Sequence, residues 1–305
     1  MSLDKAEHTT HEHLLSIINT ELGRFADHQT VHLLDVGCGD GKLITYLTNN
    51  LPKLNPTIDW QIHGFDVHDH GVQQDGFLSK AICNLSSRCP GIPWEERIAS
   101  ISDGDPWPYG DGQFDIVISN QVVEHVNDHD MFFSEVNRTL KYGGYSVHLF
   151  FLNEYIYEGH IWLPYVHRIY NHDLLRGYIK LLSRLGLGKY RMHRRKIGIS
   201  LDEFAEKQAD FMTYFANHIG YAEVLRLAKR HKLRASFRYT KEFYTRKLRS
   251  MLSLQRKYLY SVKRSAIKEW LEVLLLKYVS GITLFMEKKE TYRNYEKDLV
   301  MDGNK

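Results

Sequence analysis

"LLDVGCGDGKL", residues 33–43, places glycines at 37, 39 and 41 directly after an apolar run that ends in an acid, Asp35. A strand that stops, a backbone that bends where Cβ atoms would interfere, and a helix that begins all ask for glycine at such positions. The stretch reads as a ligand-binding turn behind a first strand at 32–36. Upstream, residues 6–26 carry Leu14, Leu15, Ile17, Ile18 and Leu22 on one helical face. Downstream, short apolar runs alternate with amphipathic stretches. Strands are expected at 61–67, 97–102 and 114–119, then a helix at 128–140 capped by Gly143 and Gly144, then a fifth strand at 145–152. This is the pattern of βαβ units, and it predicts a doubly wound α/β core on a parallel sheet.

Beyond residue 153 the pattern changes to basic, aromatic-rich helices, expected near 171–186, 201–231 and 241–278, with short β-like runs at 233–240 and 282–288. The run at 282–288, "ITLFMEK", reads as a closing strand of the sheet. The helical material before it then reads as a lid inserted after strand five, covering the carboxyl ends of the strands. The chain divides on this reading into a core (1–152), a helical lid and substrate region (153–278), and a closing strand with a polar tail (279–305).

Bulk composition narrows the class. The first ten residues, "MSLDKAEHTT", are polar and lack the apolar centre of a signal peptide or anchor. The most apolar late segment, 271–286, is too short to span a bilayer and is interrupted by Glu272, Lys277 and Gly281. Cys38, Cys83 and Cys89 are an odd set without metal-type spacing, so neither a disulfide framework nor a structural zinc is expected, and a reducing cytoplasm fits best. The net charge of +3 conceals an asymmetry: residues 1–150 hold 21 acids and 9 Lys/Arg, residues 151–305 hold 16 acids and 31 Lys/Arg. Residues 174–201 carry eight cations and no acid. Such a run attracts an anion or, in the plainer alternative, pairs with the acidic half.

The glycine spacing separates cofactors. A dinucleotide fingerprint needs GxGxxG, but here the third glycine falls one residue early and Lys42 holds the sixth place, which disfavours NAD. At this point the chain resembles the class I S-adenosylmethionine-dependent methyltransferases, whose first motif is an acid, a short apolar step, and GxGxG. The resemblance covers residues 28–152, with 282–288 as the terminal strand, and implies a Rossmann-like methyltransferase sheet and S-adenosylmethionine as cofactor. It also implies that the backbone of Gly37 and Gly39 passes close to the methionine part and that Asp35 orients its amino group. Asp66, ending "IHGFDV", matches the acid that accepts both ribose hydroxyls. In "SDGDPWPYGDGQFD", Asp103, with Asp105 as the alternative, faces the adenine, which Trp107 or Ile101 would flank. "FDIVISNQVVEHV" matches the fourth motif, with Asn120 and Gln121 beneath the methyl donor. The Glu124–His125 pair and Cys38 read as structural.

The acceptor side is sought where strand five ends. "NEYIYEGHIWLPYVHRIYNHD" is dense in His, Tyr and Glu, and its candidates are Glu158, His160 and His167. An imidazole titrates near ~6.5 and suits removal of a hydroxyl proton, so His160 is the expected general base, oriented by Glu158 or His167. The spacing of these three is not a common metal set, and no metal is expected. The family's base-modifying nucleic-acid enzymes place Asn or Asp, two prolines and an aromatic after strand four; "NQVV" lacks them, so nucleic acid is not the expected acceptor. The aromatic, basic lid suits a small or glycan-like, anionic acceptor methylated on a hydroxyl, and "EGHIWLPYVHR" is similar to segments of bacterial methyltransferases associated with surface glycans or secondary metabolites. Two alternatives stand beside this: a lipid or quinone acceptor reached by peripheral membrane contact through the amphipathic stretch 172–191, and a non-catalytic binding protein on the same scaffold.

Overall fold

A computed structural model describes residues 3–27, 29–69, 76–252, 254, 258–261 and 265–289. Five strands lie parallel: β1 (Thr30–Val36), β2 (Asp59–Val67), β3 (Ile98–Ile101), β4 (Phe114–Asn120) and β5 (Leu140–Phe150). Two more complete the sheet, β6 (Leu233–Ser236) and β7 (Ile282–Lys288), in the order β3-β2-β1-β4-β5-β7-β6. β7 runs antiparallel between β5 and β6. The central strands are buried along nearly their whole length, which is why they appear in sequence as continuous apolar runs. Strand order reverses between β1 and β4, and at such a switch point a crevice opens beyond the carboxyl ends.

Helices α1 (Thr9–Glu21), α2 (Lys42–Leu54), α3 (Phe77–Arg88) and the single turn α4 (Trp94–Arg97) accompany the first half. α5 (His129–Thr139) starts where the Asp128 carboxylate accepts from the Met131 N–H, satisfying one of the donors left over at a helix start. The second half supplies α6 (His172–Arg184), α7 (Tyr190–Ile197), α8 (Leu201–Tyr214), α9 (Tyr221–Arg230), α10 (Thr240–Met251) and α11 (Ala266–Leu276). One sheet face packs on Leu14, Ile18, Ile44 and Leu47, the other on Phe132, Phe133, Val136 and Leu227. A third apolar cluster stands apart and joins the loop after β5, through Ile161, Leu163 and Val166, to Leu175 and Ile179 of α6 and Phe204 of α8.

Several expectations are corrected. Gly143 and Gly144 lie within β5 rather than capping α5, which passes into the strand at Leu140. Pairing with β4 slips here, from Phe114 opposite Leu140 to Ile116 opposite Tyr145. A Cβ on Gly144 would stand 2.9 Å from the Asp115 carbonyl oxygen, so the irregular turn requires glycine there. The helix expected at 6–26 is α1 followed by a 3-10 turn over Leu22–Phe25. The span 201–231 is two helices broken between α8 and α9. The span 241–278 is α10 and α11, with residues 253, 255–257 and 262–264 of it outside the described residues. α9 packs on α5 and β6 and α10 on α1 and β7, so these two helices lie against the core and not across the strand ends.

Candidate active site

The turn after β1 is held by β2. The N–H groups of Gly37 and Cys38 both donate to the Phe65 carbonyl, at 2.9 and 3.0 Å, and Gly39 N–H donates to Asp66 Oδ2 at 2.7 Å. All three glycines have positive φ, where a side chain is strained. A Cβ on Gly37 would stand 2.4 Å from Val122, whereas nothing lies within 4 Å of one on Gly39. Two cavities meet at this turn. One, of about 210 Å³, is bordered by Asp66, Ile101, Asp103, Trp107 and His125; the other, of about 410 Å³, by Asp35, Cys38, Asp40, His8 and His11. Gly37, Asn120 and Gln121 border both. Gln121, at φ 58°, turns the chain sharply off β4 and is pinned by its N–H to the Leu149 carbonyl at 2.7 Å.

Asp35 is buried and its Oδ2 meets no partner among the described residues. Burial, with Asp66 nearby as a second acid, pushes its carboxyl well above the usual carboxylate range. Asp66 Oδ1 accepts from its neighbour Val67 N–H at 2.8 Å, so this carboxylate braces the turn from both oxygens. Asp103 is tethered through its N–H to Asp69 and through Oδ2 to the Asn127 amide.

The loop after β5 forms a tight hairpin in which Glu158 N–H donates to the Leu163 carbonyl and Trp162 N–H to that of Glu158. The buried Glu158 carboxylate accepts from the N–H groups of His160 and Ile161, at 2.7 and 2.9 Å, and from His160 Nδ1 at 2.5 Å. Burial pushes Glu158 up, but the His160 hydrogen bond and charge outweigh it and hold the carboxyl below its ordinary value. Burial likewise pulls His160 down, but Glu158 outweighs it and raises the imidazole. With Nδ1 committed as donor, the neutral ring keeps its lone pair on Nε2. The His160 ring lies 5.1 Å from that of His125 and 5.0 Å from Phe211. His125 borders the smaller cavity and donates from Nδ1 to the Phe215 carbonyl at 2.6 Å, so one ring separates the Glu158–His160 pair from that cavity.

Residues 34–148 match the family described as "Methyltransferase domain". Over these residues the chain carries a methyltransferase domain. A ubiquinone biosynthesis O-methyltransferase of Paramagnetospirillum magneticum is 31% identical over 112 residues, which are 37% of this chain and 37% of that relative's length. The YcgJ protein of Bacillus subtilis is similar in structure at 14% identity and a TM-score of 0.47, over 92% of this chain and all of that one. Phosphoethanolamine N-methyltransferase 2 of Haemonchus contortus, in complex with S-adenosyl-L-methionine, gives 15% identity and a TM-score of 0.44, over 92% of this chain and 52% of that one.

S-adenosylmethionine is the cofactor of the methyltransferase domain, and the residues present fit it. Asp35 offers at the larger cavity a buried carboxylate whose Oδ2 has no partner among the described residues, the chemistry an ammonium group calls for. Gly39 leaves open space at the turn, and Trp107 and Ile101 supply apolar surface beside Asp103.

The methyltransferase domain gathers Asp35, Gly37, Asp66, Asp103, Asn120 and Gln121 around the two cavities. Glu158 and His160 stand together, but His167 does not reach that pair: its Nε2 meets the Asn153 carbonyl at 3.0 Å and its ring lies on His218. The orienting partner of His160 is therefore Glu158. Glu124, which the sequence reads as structural, is fully buried with neither carboxylate oxygen hydrogen-bonded among the described residues, and burial pushes it up to about 8. Sequence reasoning passed over His8 and His11, whose clustering in "EHTTHEH" was the available signal.

The basic run pairs with acids of its own half, Arg176 with Glu206 at 2.9 Å and Lys180 with Asp202 at 2.5 Å, and not with the acidic first half. Lys189 turns toward the loop instead, 4.8 Å over the Trp162 ring and 3.2 Å from the Gly159 carbonyl. Among the described residues, the metal-like grouping is His172, Glu206 and Asp210 on α6 and α8, not Glu158, His160 and His167. No helix of the described residues is long and apolar enough to cross a membrane.

Proposed function

We propose that the protein transfers the methyl group of S-adenosylmethionine to a hydroxyl of a small or glycan-like, anionic acceptor, with His160 as general base. The observation that carries this is the Glu158–His160 pair one imidazole away from the cofactor cavity. The cofactor supplies a methyl carbon already activated by a positive sulfur, so the protein has to align the acceptor and remove its proton. Asp35 and Asp66 hold the cofactor side, with Asp103, Asn120, Gln121 and the backbone of Gly37 and Gly39 completing it. His160 Nε2 takes the hydroxyl proton, and the buried Glu158 carboxylate stabilises the imidazolium that results. The stretch 153–218, built on the third apolar cluster, serves as the lid over the acceptor. Lys189 and the aromatic ring of Trp162 at its edge speak for an acceptor that combines a flat or sugar-like face with negative charge.

Calorimetric titration with S-adenosylhomocysteine, alone and with pools of sugar nucleotides or glycan fragments, tests the assignment. Micromolar binding that tightens with one pool is expected. His160→Ala should leave that affinity near normal and lower turnover by about 10²–10⁴-fold, the usual contribution of general acid–base catalysis. Full activity in that variant would refute the base.

A lipid or quinone acceptor is the second reading, favoured by the name of the Paramagnetospirillum relative, which also speaks for oxygen as the methylated atom. Turnover on a phenolic lipid, with none on any sugar pool, would select it.

A further inference from the structure

α6 and α7 each turn one side onto the third apolar cluster and leave the other to water. Leu175 and Ile179 of α6 are buried there with Phe204, and Tyr190 and His193 of α7 set their rings 5.4 Å from the Phe204 ring. Outward, Leu174, Leu181 and Leu185 follow at i, i+7 and i+11, which sets them along one line of α6. They are 64%, 55% and 69% exposed, and past the helix end Leu187 and Met192 are 47% and 51% exposed. Exposed apolar surface of this kind marks an interaction site.

Charge selects the occupant. Of the eight cations between residues 174 and 201, Arg176, Lys180 and Lys189 are engaged by Glu206, Asp202 and the Gly159 carbonyl. The other five, Arg184, Arg191, Arg194, Arg195 and Lys196, are exposed and have no ion-pair partner among the described residues. Arg191 reaches back to the leucine line: a Cβ on Gly186, next to Leu185, would stand 2.6 Å from its guanidinium. The acid beside Leu174, Asp173, is held by Arg176 at 3.3 Å. A two-fold contact with a second copy would set five free cations against five more. A nucleic acid would take up the cations and leave the leucines in water. An anionic lipid surface answers both, with headgroups for the cations and an apolar boundary beneath them for the leucines.

We propose that α6 lies in the headgroup region of a membrane containing anionic lipid, with the cations of α7 on the headgroups beside it, and that this contact holds the protein at the surface. The inference stands apart from the methyl-transfer reading and from the nature of the acceptor. The turn that joins the two helices is packed on the loop of the candidate site: Lys189 N–H donates to the Ile161 carbonyl at 3.0 Å, and a Cβ on Gly188 would stand 2.7 Å from Leu163. The docked face thus carries the Glu158–His160 loop with it.

The test is co-sedimentation of the full chain with phosphatidylcholine vesicles, with and without phosphatidylglycerol, at low and high salt. Binding to the anionic vesicles, weakened by salt, is expected. Leu181→Gln with Leu185→Gln should weaken it by about tenfold to a hundredfold, since two aliphatic side chains would no longer leave water. Arg194→Gln with Arg195→Gln should weaken it by about tenfold to thirtyfold at low salt and flatten the salt dependence. S-adenosylhomocysteine affinity and the melting temperature should stay unchanged in both, because all four positions are exposed.

Failure to bind anionic vesicles, equal binding to neutral ones, or undiminished binding of either double variant would overturn the proposal. Binding lost with the arginines and kept with the glutamines at 181 and 185 would mark a contact with polyanions in general, single-stranded RNA included. A dimer in sedimentation equilibrium that the leucine variant dissolves would equally overturn it. Vesicle binding is read without acceptor or turnover, so its failure would leave the methyl-transfer reading intact.

Discussion

The Glu158–His160 pair fixes how activity should respond to pH. A base must be neutral to take a proton, and Glu158 holds the His160 imidazole above its ordinary 6.5. Activity should therefore rise with pH, through a limb centred above 6.5. Glu158→Gln removes the charge that favours the imidazolium, so the limb should move to lower pH while turnover falls roughly tenfold or more, as when a histidine loses its orienting partner. A pH profile of kcat/KM for both proteins checks this. A limb that stays in place would show that Glu158 only shapes the loop. The neighbouring carboxyl, Glu124, has no such partner and is pushed up to about 8, so it is neutral over most of that limb.

At the scale of elements, the loop after β5 owes its place to the third apolar cluster. Ile161 and Leu163 pack with Leu175 and Ile179 of α6 and with Phe204, 1% exposed, on α8. Phe204→Ala should cost about 3–5 kcal/mol where the cavity cannot collapse. Its functional effect should fall on the acceptor KM and leave S-adenosylhomocysteine affinity near wild type, measurable by comparing the two. An equal loss of both would mean that the cluster supports the whole domain. Element scale also shows what the sequence could reveal. β1 to β4 and β7 were legible within about two residues because continuous apolar runs are a local signal, whereas β5 begins five residues before the expected 145 and the run expected at 233–240 is a strand only to Ser236. The break between α8 and α9 was not, because its cause lies far off in sequence: Asn217 N–H donates to the Glu124 carbonyl at 2.7 Å and its amide to those of Val126 and Asn127. The cofactor-side residues came from motifs that are each local, so their gathering could be foreseen. The edge-on contact of His160 with His125 and its tilted contact with Phe211 join three distant segments, and no periodicity announces them.

Over the whole molecule, buried titratable groups oppose one another and set a pH of greatest stability. Burial pushes His148 and His218 down to about 3, and His11 and His63 to about 4. Between those values and 6.5 the unfolded chain binds protons that the native state refuses, so each histidine makes stability fall as pH falls through that window. Asp35 and Glu124 act with the opposite sign. Burial raises them, the native state holds their protons more tightly, and stability falls as pH rises from the ordinary carboxylate range to about 8 for Glu124. Below 6.5 four histidines outweigh two carboxyls; above it the carboxyls act together with His160, whose raised imidazole also makes stability fall as pH rises. Stability should therefore peak near pH 6.5. His148 is fully buried in β5, its Nδ1 2.8 Å from Ser119 Oγ, and should account for about 2–3 kcal/mol of the loss between pH 6.5 and 4.5. Urea unfolding across pH 4.5–8.5 measures the peak. His148→Gln should flatten the acid side by that amount, and Glu124→Gln the alkaline side by about 2 kcal/mol up to pH 8. A stability profile that is flat in the native protein, or unmoved by both substitutions, would mean that these side chains reach water from within the fold.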